Sequence, residues 1–84
     1  MARSMSIDYP DEWPDFLQLT PQEFEFEARM AMAVKLFEMK RLSSGMAARL
    51  VGIDRVSFLM RLHEFGVPMI DHDSEDLEAE IRNA

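Results

Sequence analysis

The chain has 84 residues, a net charge of −7 and no cysteine, which indicate one small domain without a disulfide framework or a thiolate zinc site. No stretch approaches the roughly 20 apolar residues of a membrane helix, and no secretory signal is recognisable at the N-terminus. We therefore expect a cytoplasmic protein. The acidity argues against a nucleic-acid partner, but residues 40–61 carry five basic residues and one acidic residue, a net charge of +4. A phosphate-binding surface would lie in that stretch.

Residues 1–19 predict a short strand followed by a connector. Met5, Ile7 and Tyr9 alternate with polar residues up to Pro10, as in a strand with one apolar side. Because a single strand needs a partner, we expect it to pair with a second copy or a foreign chain, or to lie as an extended arm on the helices. Pro14 argues against a helix in the connector. The connector contains three large apolar residues that we expect to be buried: Trp13, Phe16 and Leu17.

Residues 20–41 predict one long helix that serves as the dimerisation element. Thr20 is a suitable cap, Pro21 suits the first helical position, and Glu23 can bond back to the cap amide. We expect the helix to end near Lys40. Its apolar residues form three ridges: Phe24, Ala28 and Ala31; Phe26, Met30, Ala33 and Phe37; Met32, Leu36 and Met39. Since so short a chain is not expected to cover all three, we predict an intertwined homodimer, antiparallel by preference, with parallel pairing left open.

Residues 42–68 follow the pattern of a helix-turn-helix. Ser43 or Ser44 can cap a first helix, Gly52 suits a turn with positive φ, and Asp54 can cap a second helix that ends at Gly66. The residues predicted to face inwards, with Ile53 plugging the corner, are Met46, Ala47, Leu50 and Val51, then Val56, Phe58, Leu59 and Leu62. The same pattern occurs in proteins that place a helix in the DNA major groove and in hairpins that only pack.

The basic stretch supplies the candidate DNA contacts. Arg55 and Ser57, at the start of the second helix, are the candidates for base-edge contacts. The candidates for phosphate contacts are Lys40, Arg41, Arg49 and Arg61. The polar strip of the second helix is narrow, however, and half acidic: Asp54, Ser57, Arg61 and Glu64. The hairpin therefore remains open to two interpretations, a DNA-reading unit or a protein-binding unit.

Residues 69–84 form an acidic tail that predicts a short helix or a segment ordered by a partner. Ser74 can cap a last turn with Leu77 and Ile81 on one side. The run Asp71-His72-Asp73 does not predict a metal site, because adjacent residues of a loop do not converge on one ion. No nucleophile with its base and no glycine-rich phosphate loop is recognisable. We therefore expect no enzyme, no cofactor and no small-molecule substrate.

Three runs of this sequence resemble the small prokaryotic proteins of uncharacterised protein family 0175: MSIDYPDE, LTPQEF with AVKLFEMKRLSSGMAARLVGIDRVSFL, and FGVPMIDHDSEDLEAEI. The resemblance implies the antitoxin of a toxin–antitoxin pair, in which a dimeric helix-turn-helix represses its own operator. The acidic tail would neutralise a nuclease toxin of the PIN-domain type through Leu77, Ile81 and Arg82. By analogy, Arg82 would enter the carboxylate cluster that holds the nuclease metal. The alternative is a dimeric module that binds a partner protein and no DNA.

Overall fold

The computed structural model describes residues 1–68 of the chain. This part is mainly helical, as predicted, and contains four α-helices and a 3-10 helix. They are α1 (Glu12–Phe16), α2 (Pro21–Glu38), α3 (Ser44–Val51), α4 (Arg55–Met60) and the 3-10 helix (Leu62–Phe65). The helix α2 packs against α1, α3 and the 3-10 helix, and α3 also packs against α4. None of these helices is long and apolar enough to span a membrane.

The N-terminal strand predicted for residues 5–9 does not form in the part of the chain that the structure describes. The physical reason is that no second strand lies there to bond its backbone groups. The segment is instead an extended arm that is anchored on α2 through Tyr9. The Tyr9 ring lies 4.8 Å from the Phe24 ring, and its hydroxyl donates to the Glu25 carboxylate at 2.5 Å. Of the two alternatives for this segment, a paired strand or an extended arm on the helices, the single chain therefore shows the extended arm.

The connector contains the helix α1, which the sequence argument excluded. Pro14 is the third residue of this five-residue helix, so its missing N–H falls in the first turn, where no intrahelical bond is required. Pro14 is itself buried, whereas the three apolar residues expected to be buried are exposed: Trp13, Phe16 and Leu17. The prediction of an irregular connector with buried aromatic residues is therefore wrong.

The start of α2 confirms the predicted capping box. The Thr20 Oγ1 atom accepts from the Glu23 amide at 3.1 Å, and the Glu23 Oε1 atom accepts from the Thr20 amide at 2.8 Å. Two orphan amides of the first turn are satisfied in this way. Pro21 follows at the first helical position, where its fixed φ is already helical.

The end of α2 is a Schellman motif built without glycine. The Arg41 amide donates to the Leu36 carbonyl at 2.8 Å, and the Lys40 amide donates to the Phe37 carbonyl at 2.9 Å. Lys40 lies in the left-handed region, with φ of 63°, at the position that glycine usually occupies. The helix itself ends at Glu38, slightly earlier than expected.

A single chain covers the C-terminal half of α2. The buried core contains residues from every helix after α1: Met30, Ala33, Val34, Phe37, Ala47, Ala48, Val51, Phe58, Leu59, Leu62 and Val67. At its centre, the Phe37 and Phe58 rings pack edge to face, 5.6 Å apart at 89°. Of the three predicted ridges, α3 and the segment after it therefore cover the one that contains Met30, Ala33 and Phe37, whereas Ala28 and Ala31 of another ridge are exposed.

The turn between α3 and α4 has the predicted local chemistry. Ser43 caps α3 by accepting from the Met46 amide at 3.2 Å, and Asp54 caps α4 by accepting from the Ser57 amide at 3.1 Å. Gly52 has the predicted positive φ, 93°. Ile53 is partly buried against the core, as expected for a corner plug.

The inner sides of α3 and α4 were partly misassigned from the sequence. Met46, Leu50 and Val56 are exposed, although we expected them to face inwards. On α3 the buried set is Ser44, Ala47, Ala48 and Val51. Its spacing of three and four residues is the true inner stripe. The second hairpin helix is also shorter than expected, because α4 ends at Met60 and a 3-10 helix continues the chain to Gly66.

Candidate functional site

The predicted phosphate contacts all have exposed side chains. They are Lys40 and Arg41 in the α2–α3 turn, Arg49 on α3, and Arg61 directly after α4. A cation must be exposed to contact a polyanion such as DNA. The four cations meet this requirement, and they lie on the hairpin and on the turn that precedes it. Four of the five positive charges of residues 40–61 are therefore presented at the surface.

Arg55, the first candidate for a base-edge contact, is half-buried and bonded within the hairpin. Its Nε atom donates to the Ser44 hydroxyl oxygen at 2.8 Å. Ser44 is fully buried, so the bond ties the first residue of α4 to the first residue of α3. A buried hydroxyl that accepts from a guanidinium is a strong, directional link. Arg55 lies at the N-terminal end of α4, and its bond to Ser44 holds α4 in position against α3.

Ser57, the second candidate, is half-buried and bonded to the cap of its own helix. Its hydroxyl donates to Asp54 Oδ1 at 2.6 Å. This bond is the main reason why the pKa of the Asp54 carboxyl lies below its usual range, and the bond from the Ser57 amide is the second. The carboxylate is thus charged at neutral pH, beside the residue expected to read a base.

Arg61 is exposed but lies over an aromatic ring of α2. Its guanidinium carbon is 5.3 Å from the centre of the Phe26 ring, and one of its nitrogens is 3.7 Å from a Glu64 carboxylate oxygen. Contacts of this kind at the surface contribute little free energy. They orient the side chain while leaving its charge available to a stronger anion.

Val56 and Met60 are surface residues of α4 that were not identified from the sequence. Both are well exposed, by 59% and 65%. The signal that could have found them is the spacing of the buried residues Phe58, Leu59 and Leu62, which leaves positions 56 and 60 on the opposite side. An apolar group on a reading helix can contact the methyl group of thymine, and it can equally pack against a protein.

The remaining predicted sites lie outside the described residues. These are the partner contacts Leu77, Ile81 and Arg82, and the run Asp71-His72-Asp73. Within residues 1–68, no three His, Cys, Asp or Glu side chains are grouped in a way that could hold a metal ion.

Comparison with known proteins identifies the protein family that this chain resembles. The sequence profile of the Uncharacterised protein family (UPF0175) matches residues 1–84 of this chain. The chain is also similar to a UPF0175 protein of Aeropyrum pernix, with 30% identity over 73 residues that cover 87% of this chain and 81% of that protein. No solved structure matches.

Proposed function

The chain belongs to the uncharacterised protein family UPF0175, and on that premise we propose that it is the antitoxin of a toxin–antitoxin pair. In this proposal a homodimer binds operator DNA through α3 and α4 and represses its own transcription. The C-terminal tail of the same molecule neutralises a nuclease toxin. The protein acts without a cofactor and without catalysis, in the cytoplasm, where the operator is found.

The observation that carries the DNA part is the coincidence of a helix-turn-helix with the one net-positive stretch. Ala47 and Ala48 are buried between helices that turn at the left-handed Gly52, and Asp54 caps the helix that follows. Small residues, a glycine turn and a capped second helix are the parts that a reading hairpin needs. The exposed cations on and beside it supply the phosphate contacts.

In the proposed complex, α4 lies in the major groove with its N-terminal end against the bases. Ser57 exchanges its bond with Asp54 for a base edge, and Arg55, which is half-buried, would have to turn its guanidinium away from Ser44 to reach a base. Lys40, Arg41, Arg49 and Arg61 contact phosphates and set the register. A two-fold dimer places two such helices in successive major grooves, roughly 34–36 Å apart.

The backbone of Lys40 supports its assignment as a phosphate contact. A residue with a side chain is disfavoured at φ of 63°, and glycine would relieve that strain. Strained residues that persist are characteristic of functional positions. A lysine at this position supplies a charge that glycine lacks.

DNA binding is tested by fluorescence anisotropy with the DNA upstream of the gene and with unrelated DNA, each at two salt concentrations. We expect tighter binding to the upstream DNA, and a shallower salt dependence for Lys40→Ala and Arg41→Ala. Lys35→Ala is the matched control, because Lys35 is exposed on α2 and paired with Glu38 at 3.2 Å, outside the basic stretch. Equal affinity for both DNAs at both salt concentrations would contradict the proposal.

The toxin part rests on the tail residues Leu77, Ile81 and Arg82. We propose that the two apolar residues lie in a groove of a PIN-type nuclease, and that Arg82 competes with the metal for its carboxylates. Deletion of the residues after Asp73 should leave DNA binding unchanged and abolish inhibition of the nuclease encoded beside this gene. If the shortened chain still inhibits that nuclease fully, the tail is not the inhibitory segment.

A second candidate function is a dimeric interaction module without DNA binding. The observation that favours it is the exposure of Val56 and Met60 on α4, together with the carboxylate of Asp54 at its start. For this function, Val56→Ser and Met60→Ser would weaken binding of a partner protein. The upstream DNA would show no specific affinity in the anisotropy measurement.

A further inference from the structure

We propose that two exposed surfaces of this chain bind each other in a two-fold dimer. The α1 face consists of Trp13, Phe16 and Leu17, and the α3 face consists of Met46, Arg49 and Leu50. The α1 face of each copy docks on the α3 face of the other. This inference rests on the homodimer of the proposed function and supplies its interface.

The α1 face is aromatic and exposed, and a carboxylate borders it on one side. Its three residues have helical spacing, so they lie on one side of α1. Phe16 is 84% exposed and Trp13 is 50% exposed, whereas Pro14, on the other side of the helix, is buried. Large aromatic side chains of this kind dominate the binding energy of protein interfaces. Glu12 borders the face, since it is four residues before Phe16, whereas Asp11 and Asp15 lie towards the opposite side of this short helix.

The α3 face is apolar and basic. It is the side of α3 opposite the buried stripe, and Met46 on it is 52% exposed. Arg49 lies between the two apolar residues on this side, and Lys40 and Arg41 precede α3 in the chain. A methionine adapts its shape to an aromatic partner and makes favourable sulfur contacts with it.

The geometry of one chain leaves both faces uncovered. Within the described residues, α1 packs against α2 and against no other helix, so it does not reach the α3 face of its own molecule. A second copy is thus required to bring the two faces together. The reciprocal arrangement closes after two copies, because each contact occurs twice about the two-fold axis.

Charge selects this pairing over the simpler pairing of two α1 faces. Contact between α1 faces would bring the Glu12 carboxylates of the two copies towards each other, and like charges at an interface are unfavourable. Contact between α1 and α3 places the same carboxylates near Arg49. In this arrangement Arg49 lies in the dimer interface and not on DNA, so the phosphate contacts of the proposed function reduce to Lys40, Arg41 and Arg61.

The test uses two variants, each of which removes one face. Phe16→Lys removes the α1 face, and Met46→Glu removes the α3 face. Met46→Glu should preserve the fold, because it places a glutamate three residues after the Ser43 cap, as in a capping box. Arg49→Glu is a second variant of the α3 face. Met39→Ser is the matched control, since Met39 is 51% exposed, like Met46 at 52%, but follows α2 and lies outside both faces.

Sedimentation velocity and the fluorescence of Trp13, the single tryptophan of the chain, report association and burial. We expect the unaltered chain and Met39→Ser to be dimers. Each face variant alone should associate about tenfold more weakly or worse. An equimolar mixture of Phe16→Lys and Met46→Glu should regain dimers with a blue-shifted Trp13 emission, because one contact of the pair is then intact.

Two results would overturn the inference, and they differ in what else they affect. If Met46→Glu and Arg49→Glu still dimerise, or if the mixture does not, the interface is wrong and the proposed dimer stands with another interface. If the unaltered chain is a single molecule at low micromolar concentration, both the interface and the dimeric part of the proposed function fail. Neither result depends on DNA or on a nuclease.

Discussion

The Nε atom of Arg55 donates to the hydroxyl oxygen of Ser44 across 2.8 Å and thereby joins the N-terminal ends of α4 and α3. Ser44 is the only polar residue in the buried set of residues 1–68. A hydrogen bond from a charged donor contributes more than a neutral one, and a buried group that loses its partner is expensive. The orientation of α4 in the hairpin therefore depends on this bond.

Ser44→Ala should destabilise the chain by about 1–3 kcal/mol, because it removes the acceptor for the Arg55 guanidinium. Urea denaturation followed by circular dichroism measures the change. Ser6→Ala, in the exposed N-terminal arm, is the control and should leave the midpoint unchanged. A midpoint for Ser44→Ala equal to that of the control would show that the bond does not stabilise the hairpin.

Lys40→Gly should raise stability by about 1 kcal/mol and lower DNA affinity at the same time. The gain arises because glycine has no Cβ to clash at φ of 63°, and the loss arises from the missing charge. Lys40→Asn should show the same loss of affinity with a smaller gain in stability. The functional assignment fails if the glycine variant is more stable and binds DNA as tightly as before.

Gly52→Ala should destabilise the chain by about 1–2 kcal/mol through the backbone alone. A Cβ atom at this position would meet nothing within 4 Å, so the effect comes from φ of 93° and not from a clash. Gly52→Asn should be milder, since asparagine tolerates the left-handed region. Equal thermal unfolding midpoints for the unaltered chain and Gly52→Ala would contradict a left-handed backbone conformation at position 52.

The Asp54 carboxyl should make stability depend on pH in the acid range. Its folded-state pKa is lowered, chiefly by the hydrogen bond from the Ser57 hydroxyl. The stabilisation is therefore fully present above the unfolded-state pKa and is lost as the pH falls through the folded-state value. The stability difference between the unaltered chain and Asp54→Asn, measured in urea at several pH values, should shrink on acidification. A constant difference would contradict the assignment.

The hydroxyl of Tyr9 should ionise at a higher pH than a free tyrosine. Its pKa is raised, chiefly because it donates a hydrogen bond to the Glu25 carboxylate. The contribution of this bond to stability is present below the unfolded-state pKa and is lost as the pH rises through the folded-state value. Tyr9 is the one tyrosine of the chain, so ultraviolet absorbance follows it directly. Glu25→Gln should return the midpoint towards its usual value, whereas Glu27→Gln should not.

The features that could be predicted from the sequence are those set by neighbours within a few residues. The capping box of Thr20 and Glu23, the cap at Asp54 and the left-handed Gly52 are of this kind. Each depends on a short-range bond or on one backbone angle, so the residue types suffice. The exposure of Lys40, Arg41, Arg49 and Arg61 followed in the same way from their polarity, whereas Arg55 is half-buried.

The features that could not be predicted depend on contacts between distant parts of the chain. The Tyr9 ring lies on Phe24, and Arg61 lies over Phe26. Neither contact has a local signal. The inner residues of α3 and α4 were misassigned because in helices of 8 and 6 residues several apolar stripes fit equally well. Only the position of α2 decides which stripe is buried.

The central claim is that two copies of α4 read operator DNA together, and footprinting on the upstream DNA of the gene tests it most directly. We expect two protected half-sites whose centres are about 10–10.5 base pairs apart or a multiple of that spacing. Protection should weaken at both half-sites together in Lys40→Ala. A single protected half-site, or no protection at a concentration where the chain is dimeric, would contradict the account.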